Sequence, residues 1–195
     1  MLKTSINIES RSESRSAPAE LRPGNLSGLI ALLAALTMLF AAFSSAYIVR
    51  RGLSDDWSRL PPMRVELVSL VLLALGSLAL ELARRNLSWR KPFARYWFGG
   101  VMLGVLFVLS LIYSCRAVSE MGFTMAKSPA AAFFYVLNGS FLLCAIGGLV
   151  ALIFSGRKVL RTSTVRAAGS TTAAYFWHYL TGLWMYLLIL WYVWK

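Results

Sequence analysis

Residues that carry catalytic or metal chemistry are scarce in this chain of 195 residues, which contains one histidine, two cysteines and eight acidic residues. One histidine cannot hold a haem between two helices, and copper or zinc sites use three or four donors. The cysteines, Cys115 and Cys144, do not have the spacing of a metal knuckle. Cys144 lies well inside an apolar run, which argues against a disulfide. The sequence therefore predicts no catalytic residue, no metal site and no cofactor bound by this chain itself.

Apolar residues are abundant instead: 58% of the residues are hydrophobic, 14% are charged, and the mean hydropathy is +0.63. Five apolar runs without proline are long enough to cross a hydrocarbon layer of about 30 Å, which takes about 20 helical residues. Each is predicted to be a helix, because lipid offers no hydrogen bonds to exposed backbone and the runs lack the alternation of barrel strands. The predicted fold is all-α: a polytopic five-helix transmembrane domain over 26–195, with spans at 26–49, 65–83, 96–115, 131–154 and 173–194.

Charge outside the runs predicts the orientation. Residues 1–25 are polar and rich in serine and charge, and they are predicted to form a disordered cytoplasmic tail. They do not resemble a cleaved signal peptide, because the apolar run that follows is too long. Of the 20 Lys and Arg, thirteen lie in the tail and in the loops after the second and fourth runs. The positive-inside rule then places the N-terminus in the cytoplasm and the C-terminus across the membrane. We assign the net charge of +12 to lipid headgroups, with no nucleic acid partner.

Small residues predict where the helices pack, since transmembrane helices associate where their backbones can approach closely. Gly100 and Gly104 of the third run have GxxxG spacing. Ser140, Cys144 and Gly148 lie on one stripe of the fourth run. These five residues are the predicted helix-packing positions.

His178 is the ionisable residue that the sequence places clearly within a span. Glu66 and Glu81 lie near the two ends of the second run and are predicted to be interfacial; Glu81 is expected to pair with Arg84 and Arg85 at i+3 and i+4. Ionisable groups inside a membrane usually mark function, so His178 is a candidate functional residue. A histidine hydrogen-bonded to a neighbouring helix is the alternative interpretation.

Three of the five runs resemble the cytochrome c oxidase subunit III family. The last run reads AAYFWHYLTGLW over 173–184, and its tryptophan–histidine step is typical of that family's terminal helix. The fourth run contains FFYVLNG over 133–139 and IGGL over 146–149, and the first contains MLFAAFS over 38–44. The predicted topology is similar to that of shorter bacterial members that lack the first two helices. The chain is therefore identified as a divergent five-helix member of this family.

Four positions depart from the family pattern, and each loses a polar group. Leu36 stands where the family has a membrane-buried glutamate. Phe141 and Cys144 replace two histidines, and Thr181 replaces an aspartate. Roles that depend on those groups are not carried over to this chain.

The resemblance implies a non-catalytic structural and lipid-binding subunit III of a haem-copper respiratory terminal oxidase. Such a subunit supports proton uptake and stability of the catalytic subunit in aerobic electron transport. Haem and copper are then expected in the partner subunit, and phospholipid is expected on this chain. The implied partners are catalytic subunit I, other respiratory subunits and the lipids of the cell inner membrane. The candidate lipid-binding residues are Arg157, Lys158, Trp177 and His178.

Three other functions are compatible with the sequence. An accessory protein of nitric oxide reductase, or of another respiratory complex, is close to the first hypothesis and fits the lost polar groups. A small membrane transporter or lipid-handling protein is less favoured, since the span centres contain no carboxylate and no helix is broken. A membrane enzyme that uses His178 as a base or ligand is the third.

Overall fold

The fold is known from a computed structural model that describes residues 23–53, 57, 64–86, 89–161 and 167–193. Within these ranges every regular element is a helix, and each of the five is long and apolar enough to cross a membrane. The predicted all-α polytopic fold is confirmed. Residues 1–22, most of the predicted tail, lie outside the described residues. The helices are α1 (Pro23–Leu53), α2 (Arg64–Arg85), α3 (Arg90–Glu120), α4 (Pro129–Arg161) and α5 (Ala167–Val193).

The helices extend past the predicted spans at most of their ends. Hydropathy locates the part of a helix that lies in hydrocarbon, whereas the backbone hydrogen bonds continue into the headgroup layer. α1 therefore begins at Pro23 and includes three residues that the sequence assigns to the tail. Proline is tolerated in a first helical turn because the N–H it lacks has no intrahelical partner there. Trp194, the last residue of the fifth predicted span, lies outside the described residues.

α2, α3, α4 and α5 form a ring in which each helix packs on the next and α5 closes onto α2. We call this the four-helix ring. α1 lies outside it and packs on α4 and α5. In the most apolar stretch of α1, 17% of the residues are buried, against 39% in α4 and in α5. Since each helix crosses the membrane, α1, α3 and α5 run one way and α2 and α4 the other. We call the side where α1 begins the N-face and the opposite side the C-face.

Aromatic side chains fill the half of the ring nearer the C-face. The Trp184 ring of α5 lies 4.8 Å from the Phe141 ring of α4 and 5.7 Å from the Phe107 ring of α3, measured between centroids. Most of these contacts are tilted or edge-on, the geometry that aromatic quadrupoles favour. Phe40 of α1 reaches this cluster through an edge contact with Phe141 at 6.1 Å. The aromatic cluster therefore joins α1 to the ring as well as three ring helices to one another.

The link between α3 and α4 is tightly hydrogen-bonded. α3 ends in a Schellman motif in which Gly122 has a φ of 84°, a left-handed conformation that glycine adopts without strain. The Gly122 N–H donates to Ser119 O at 2.9 Å, and the Phe123 N–H donates to Val118 O at 3.3 Å. The Tyr135 hydroxyl of α4 then lies 3.0 Å from Phe123 O. This link holds the outer ends of α3 and α4 together on the C-face.

Candidate functional site

Trp177 lies at the centre of the four-helix ring, on a seat formed by glycines from three helices. A Cβ atom built on Gly104 of α3 would lie 2.9 Å from the indole, and one on Gly148 of α4 would lie 3.3 Å from it. One on Gly76 of α2 would lie 3.4 Å from the indole Nε1. Trp177 itself is fully buried. The structure thus brings together three residues that the sequence singles out separately, Trp177, Gly104 and Gly148, and adds Gly76.

Glycine also sets the distance between α2 and α3. A Cβ built on Gly100 would lie 2.7 Å from the Leu80 side chain and 3.5 Å from the Gly76 carbonyl, so a larger residue 100 would require Leu80 to move. Trp97, one turn before Gly100 on the same helix, packs directly over Gly156 of α4, and its Nε1 donates to Leu152 O at 3.2 Å. Sequence reasoning did not identify Gly76 or Gly156, because neither belongs to a GxxxG pair.

Ser140 and Cys144 lie on α4 on the same stripe as Gly148, but both are half-buried. The Cys144 side chain packs against the ring core, and the thiol is free. The close approach on this stripe is made at Gly148, where the Phe176 and Trp177 rings of α5 fit against the bare backbone.

His178 belongs to a polar cluster between α2 and α5, on the N-face side of the ring. Its Nδ1 shares a hydrogen bond with the Ser77 hydroxyl, and its Nε2 lies 3.7 Å from Glu81 Oε2. Glu81 also accepts hydrogen bonds from Arg84 at 2.8 Å and from Arg85 at 3.0 Å, which confirms the predicted i+3 and i+4 ion pairs. His178 therefore joins α5 to α2. Because α5 begins at Ala167, His178 lies about three turns from the start of its helix.

A hydroxyl, an imidazole and a carboxylate follow one another in this cluster, as they do in the catalytic triad of a hydrolase. Ser77, however, is buried in the middle of α2, where the surrounding backbone N–H groups are used in helical hydrogen bonds. An oxyanion hole needs such donors free and aimed at the reacting atom. The geometry favours a structural hydrogen bond over nucleophilic catalysis.

Glu66 lies near the end of its helix, as the sequence predicts, and neighbouring helices bury its side chain. It lies in the first turn of α2, is 2% exposed, and accepts a hydrogen bond from the Ser114 hydroxyl of α3. Its backbone carbonyl lies 3.4 Å from the Trp184 indole N–H of α5. One turn deeper, the Ser69 and Ser110 hydroxyls are 2.7 Å apart. The spacing of polar residues in the sequence could have predicted this contact. Two polar residues three apart on α2 face two polar residues four apart on α3, which runs antiparallel to α2.

Arg157 and Lys158 lie near the end of α4 on the N-face, and both are exposed.

The positions that depart from the family pattern lie in different surroundings. Leu36 is half-buried on α1, and the Thr181 hydroxyl donates to Trp177 O of its own helix at 3.1 Å. Phe141 belongs to the aromatic cluster. Among the described residues, no three His, Cys, Asp or Glu side chains are grouped so that they could hold a metal ion.

Known proteins similar to this chain share one name. No known family profile matches the sequence. The chain is 28% identical over 183 residues to a probable cytochrome c oxidase subunit 3 of Mycobacterium bovis, an alignment that covers 85% of this chain and 86% of the relative. A probable cytochrome c oxidase subunit 3 of Nocardia farcinica is 27% identical over 177 residues, covering 84% and 85%. The cytochrome c oxidase subunit 3 of Thermostichus vulcanus is 24% identical over 178 residues, covering 85% of each. This five-helix membrane protein is thus distantly similar, along most of its length, to cytochrome c oxidase subunit 3 proteins.

Proposed function

We propose that this chain is the non-catalytic subunit III of a haem-copper respiratory terminal oxidase. The observation that carries the proposal is the similarity to proteins of that name over about 85% of both lengths. The chain packs on the catalytic subunit, retains phospholipid, and supports proton uptake and stability in its neighbour. Haem and copper belong to that partner, since one histidine supplies too few ligands for either.

The ring built around Trp177 supports a structural role. Its interior contains indole and phenyl rings in direct contact with glycine backbones and with one another. The ionisable side chains Glu66, Glu81 and His178 are each hydrogen-bonded to a neighbouring helix or within their own. Such groups hold helices in place in a membrane. The buried apolar side chain of Leu73 lies on α2 between the residues of the two groups, Glu66 and Ser69 before it and Ser77 and Glu81 after it.

Lipid retention is proposed at the N-face, where Arg157 and Lys158 project beyond the apolar part of α4. With the N-terminus in the cytoplasm of a cell with an inner membrane, both lie at a leaflet rich in anionic headgroups. Each basic residue there gains about 1 kcal/mol from the surface potential. His178 and Trp177 contribute from inside: His178 is partly exposed beside Glu81, and Trp177 holds the helices that carry the site.

Affinity purification of the tagged chain from mildly solubilised membranes tests the assignment. Mass spectrometry should identify a haem-copper oxidase catalytic subunit, and the purified complex should show its haem absorbance. A nitric oxide reductase core in its place would favour the accessory role in that complex. Recovery of the chain without any respiratory core subunit would contradict both.

The lipid site is tested separately by the double substitution Arg157→Gln and Lys158→Gln. The amount of anionic phospholipid that co-purifies with the complex should fall, as measured by mass spectrometry of extracted lipid. Lys127→Gln, at an exposed position on the C-face, is the matched control and should leave the lipid content unchanged. Equal lipid content in the wild-type complex, the double variant and the control would show that these two residues do not retain the lipid. The subunit assignment would not be affected.

A further inference from the structure

Glu66 and three serines bring their side-chain oxygens together between α2 and α3, near the C-face end of the ring. Glu66 and Ser69 lie one turn apart on α2, and Ser114 and Ser110 lie one turn apart on α3, which runs the other way. The Ser114 hydroxyl donates to the Glu66 carboxylate, and the Ser69 and Ser110 hydroxyls are 2.7 Å apart. We call these four residues the Glu66 cluster. It has two layers: a carboxylate and a hydroxyl nearer the C-face, and two hydroxyls one turn deeper.

The charge of Glu66 is not balanced by the side chains around it. Glu66 is 2% exposed, and Ser69 and Ser114 are also buried. Within the described ranges, no lysine or arginine forms an ion pair with Glu66. The helix dipole places about half a positive charge at the start of α2, which is less than the carboxylate carries. Since buried charges are paired or bound to metal ions, the cluster calls for a cation.

The spacing of the two layers suits an ion that both layers coordinate. Three residues of helix rise by about 4.5 Å and four by about 6 Å, so an ion midway between the layers lies about 2–3 Å along the axis from each. Oxygen ligands of Ca²⁺, an ion of nearly the same size as Na⁺, lie at about 2.3–2.6 Å. A proton would need one acceptor, whereas four oxygen-bearing side chains converge here. Their arrangement therefore favours a coordinated metal ion.

The hydroxyls of the deeper layer can act as ligands because their hydrogens have other acceptors. Ser69 Oγ lies 2.9 Å from Val65 O, and Ser110 Oγ lies 2.7 Å from Phe107 O. When each hydroxyl donates to the carbonyl of its own helix, its lone pairs are left for the space between α2 and α3. Oxygen ligands of this kind suit alkali and alkaline-earth ions better than transition metals. The scarcity of histidine and cysteine therefore does not argue against such a site.

We propose that the Glu66 cluster binds one Na⁺ ion through the Glu66 carboxylate and the hydroxyls of Ser69, Ser110 and Ser114. A monovalent ion makes the cluster neutral, while a divalent ion would leave a positive charge buried. The close approach of the facing hydroxyls favours Na⁺ over the larger K⁺. The ion enters from the aqueous phase on the C-face, because Glu66 lies in the first turn of α2 at that end of the span. Bound there, it holds α2 against α3.

Thermal unfolding of the full chain in a neutral detergent tests the proposal. Circular dichroism would be followed at constant ionic strength while choline chloride is replaced by NaCl or by KCl. A ligand that binds the folded state alone raises the unfolding temperature as its concentration rises. We expect Na⁺ to raise the unfolding temperature of the wild-type chain and K⁺ to raise it less. Equilibrium dialysis with radiolabelled Na⁺ should give one bound ion per chain.

Glu66→Gln keeps the size of the side chain and a carbonyl oxygen for the Ser114 hydroxyl, but it removes the charge. It should abolish both the Na⁺-dependent rise and the binding in dialysis. Glu120→Gln is the matched control, since Glu120 is an exposed acid at the end of α3, and it should respond to Na⁺ like the wild type. Ser110→Ala removes one ligand and leaves the contact between Glu66 and Ser114. It should weaken Na⁺ binding several-fold, and it decides the matter if Glu66→Gln does not fold.

Three results would overturn the proposal. The first is the absence of bound Na⁺ in dialysis. The second is an equal effect of Na⁺ and K⁺ that persists in Glu66→Gln, because general screening by salt would then explain it. The third is an unfolding temperature that ignores Na⁺ but depends on pH in the wild type and not in Glu66→Gln, because Glu66 would then hold a proton. The chain is measured without other subunits, so none of these results bears on the oxidase assignment, which the affinity purification tests.

Discussion

α1 and the four-helix ring are made of similarly apolar helices, yet they are held in place differently. The ring closes around Trp177, which fits against bare backbone at Gly76, Gly104 and Gly148. The contacts that attach α1 include the Thr37 bridge to Tyr179 and edge contacts of aromatic rings, and α1 is the least buried of the five helices. Apolar length thus decides that a helix crosses the membrane, while the position of small residues decides how closely it packs once there. Four substitutions probe this difference, from the largest expected effect to the smallest.

Trp177→Ala should cause the largest loss, because it removes the side chain that all ring helices contact. Replacement of a buried tryptophan by alanine usually costs about 3–5 kcal/mol. The unfolding midpoint of the chain in mixed micelles, followed by circular dichroism as SDS is added, should fall sharply. Trp89→Ala is the control, since Trp89 is exposed just before α3. Equal shifts in the two variants would contradict a central role for Trp177.

Gly104→Leu should be the next most damaging. Even a Cβ at this position would lie 2.7 Å from Leu149 and 2.9 Å from Trp177, so the ring must open to accept it. Overpacking of this kind typically costs about 1–3 kcal/mol. Gly139→Leu on α4 has nothing within 4 Å of its built Cβ and should unfold at the wild-type SDS fraction. A wild-type midpoint for Gly104→Leu would show that the glycine seat is not required.

Ser114→Ala removes the hydroxyl that donates to the buried Glu66 carboxyl and tests the polar contact between α2 and α3. Removal of one partner of a buried hydrogen bond typically costs about 1–3 kcal/mol, because the carboxyl would stay buried without this donor. The expected result is a moderate drop in the SDS midpoint, together with faster amide exchange at the start of α2. Ser119→Ala, exposed on the same helix, should change neither measurement.

Thr37→Val should have the smallest effect. It removes the Thr37–Tyr179 hydrogen bond, keeps the shape of the side chain, and leaves the weaker bond from Tyr179 to the Leu33 carbonyl. Interhelical bonds of this kind in membranes average about 0.6 kcal/mol. The overall midpoint should barely move, but a spin-label pair on α1 and α5 should report a broader distance distribution. Because the ring does not depend on α1, a loss as large as that of Gly104→Leu would contradict the separation of the two regions.

The sequence predicted which residues lie within the membrane better than it predicted which helices contact one another. Uninterrupted apolar runs predicted five spans, and each is part of a helix. Spacing on a single helix also predicted the Glu81 pairs with Arg84 and Arg85, since i+3 and i+4 neighbours must meet. Glu66 shows the limit of such reasoning: it lies near a helix end as predicted, but the sequence did not show that α3 and α5 cover it.

What the amino-acid order determined on its own is that this protein is a set of membrane helices with almost no reactive side chains inside them. Burial of backbone in lipid leaves a long apolar run no other structure to adopt. Tertiary structure alone decided that four helices close into a ring, that Trp177 lies on three glycines, and that α1 stays outside the ring. Lipid does not drive helices together by the hydrophobic effect, so these choices depend on which surfaces fit, and fit is a property of pairs of helices in three dimensions.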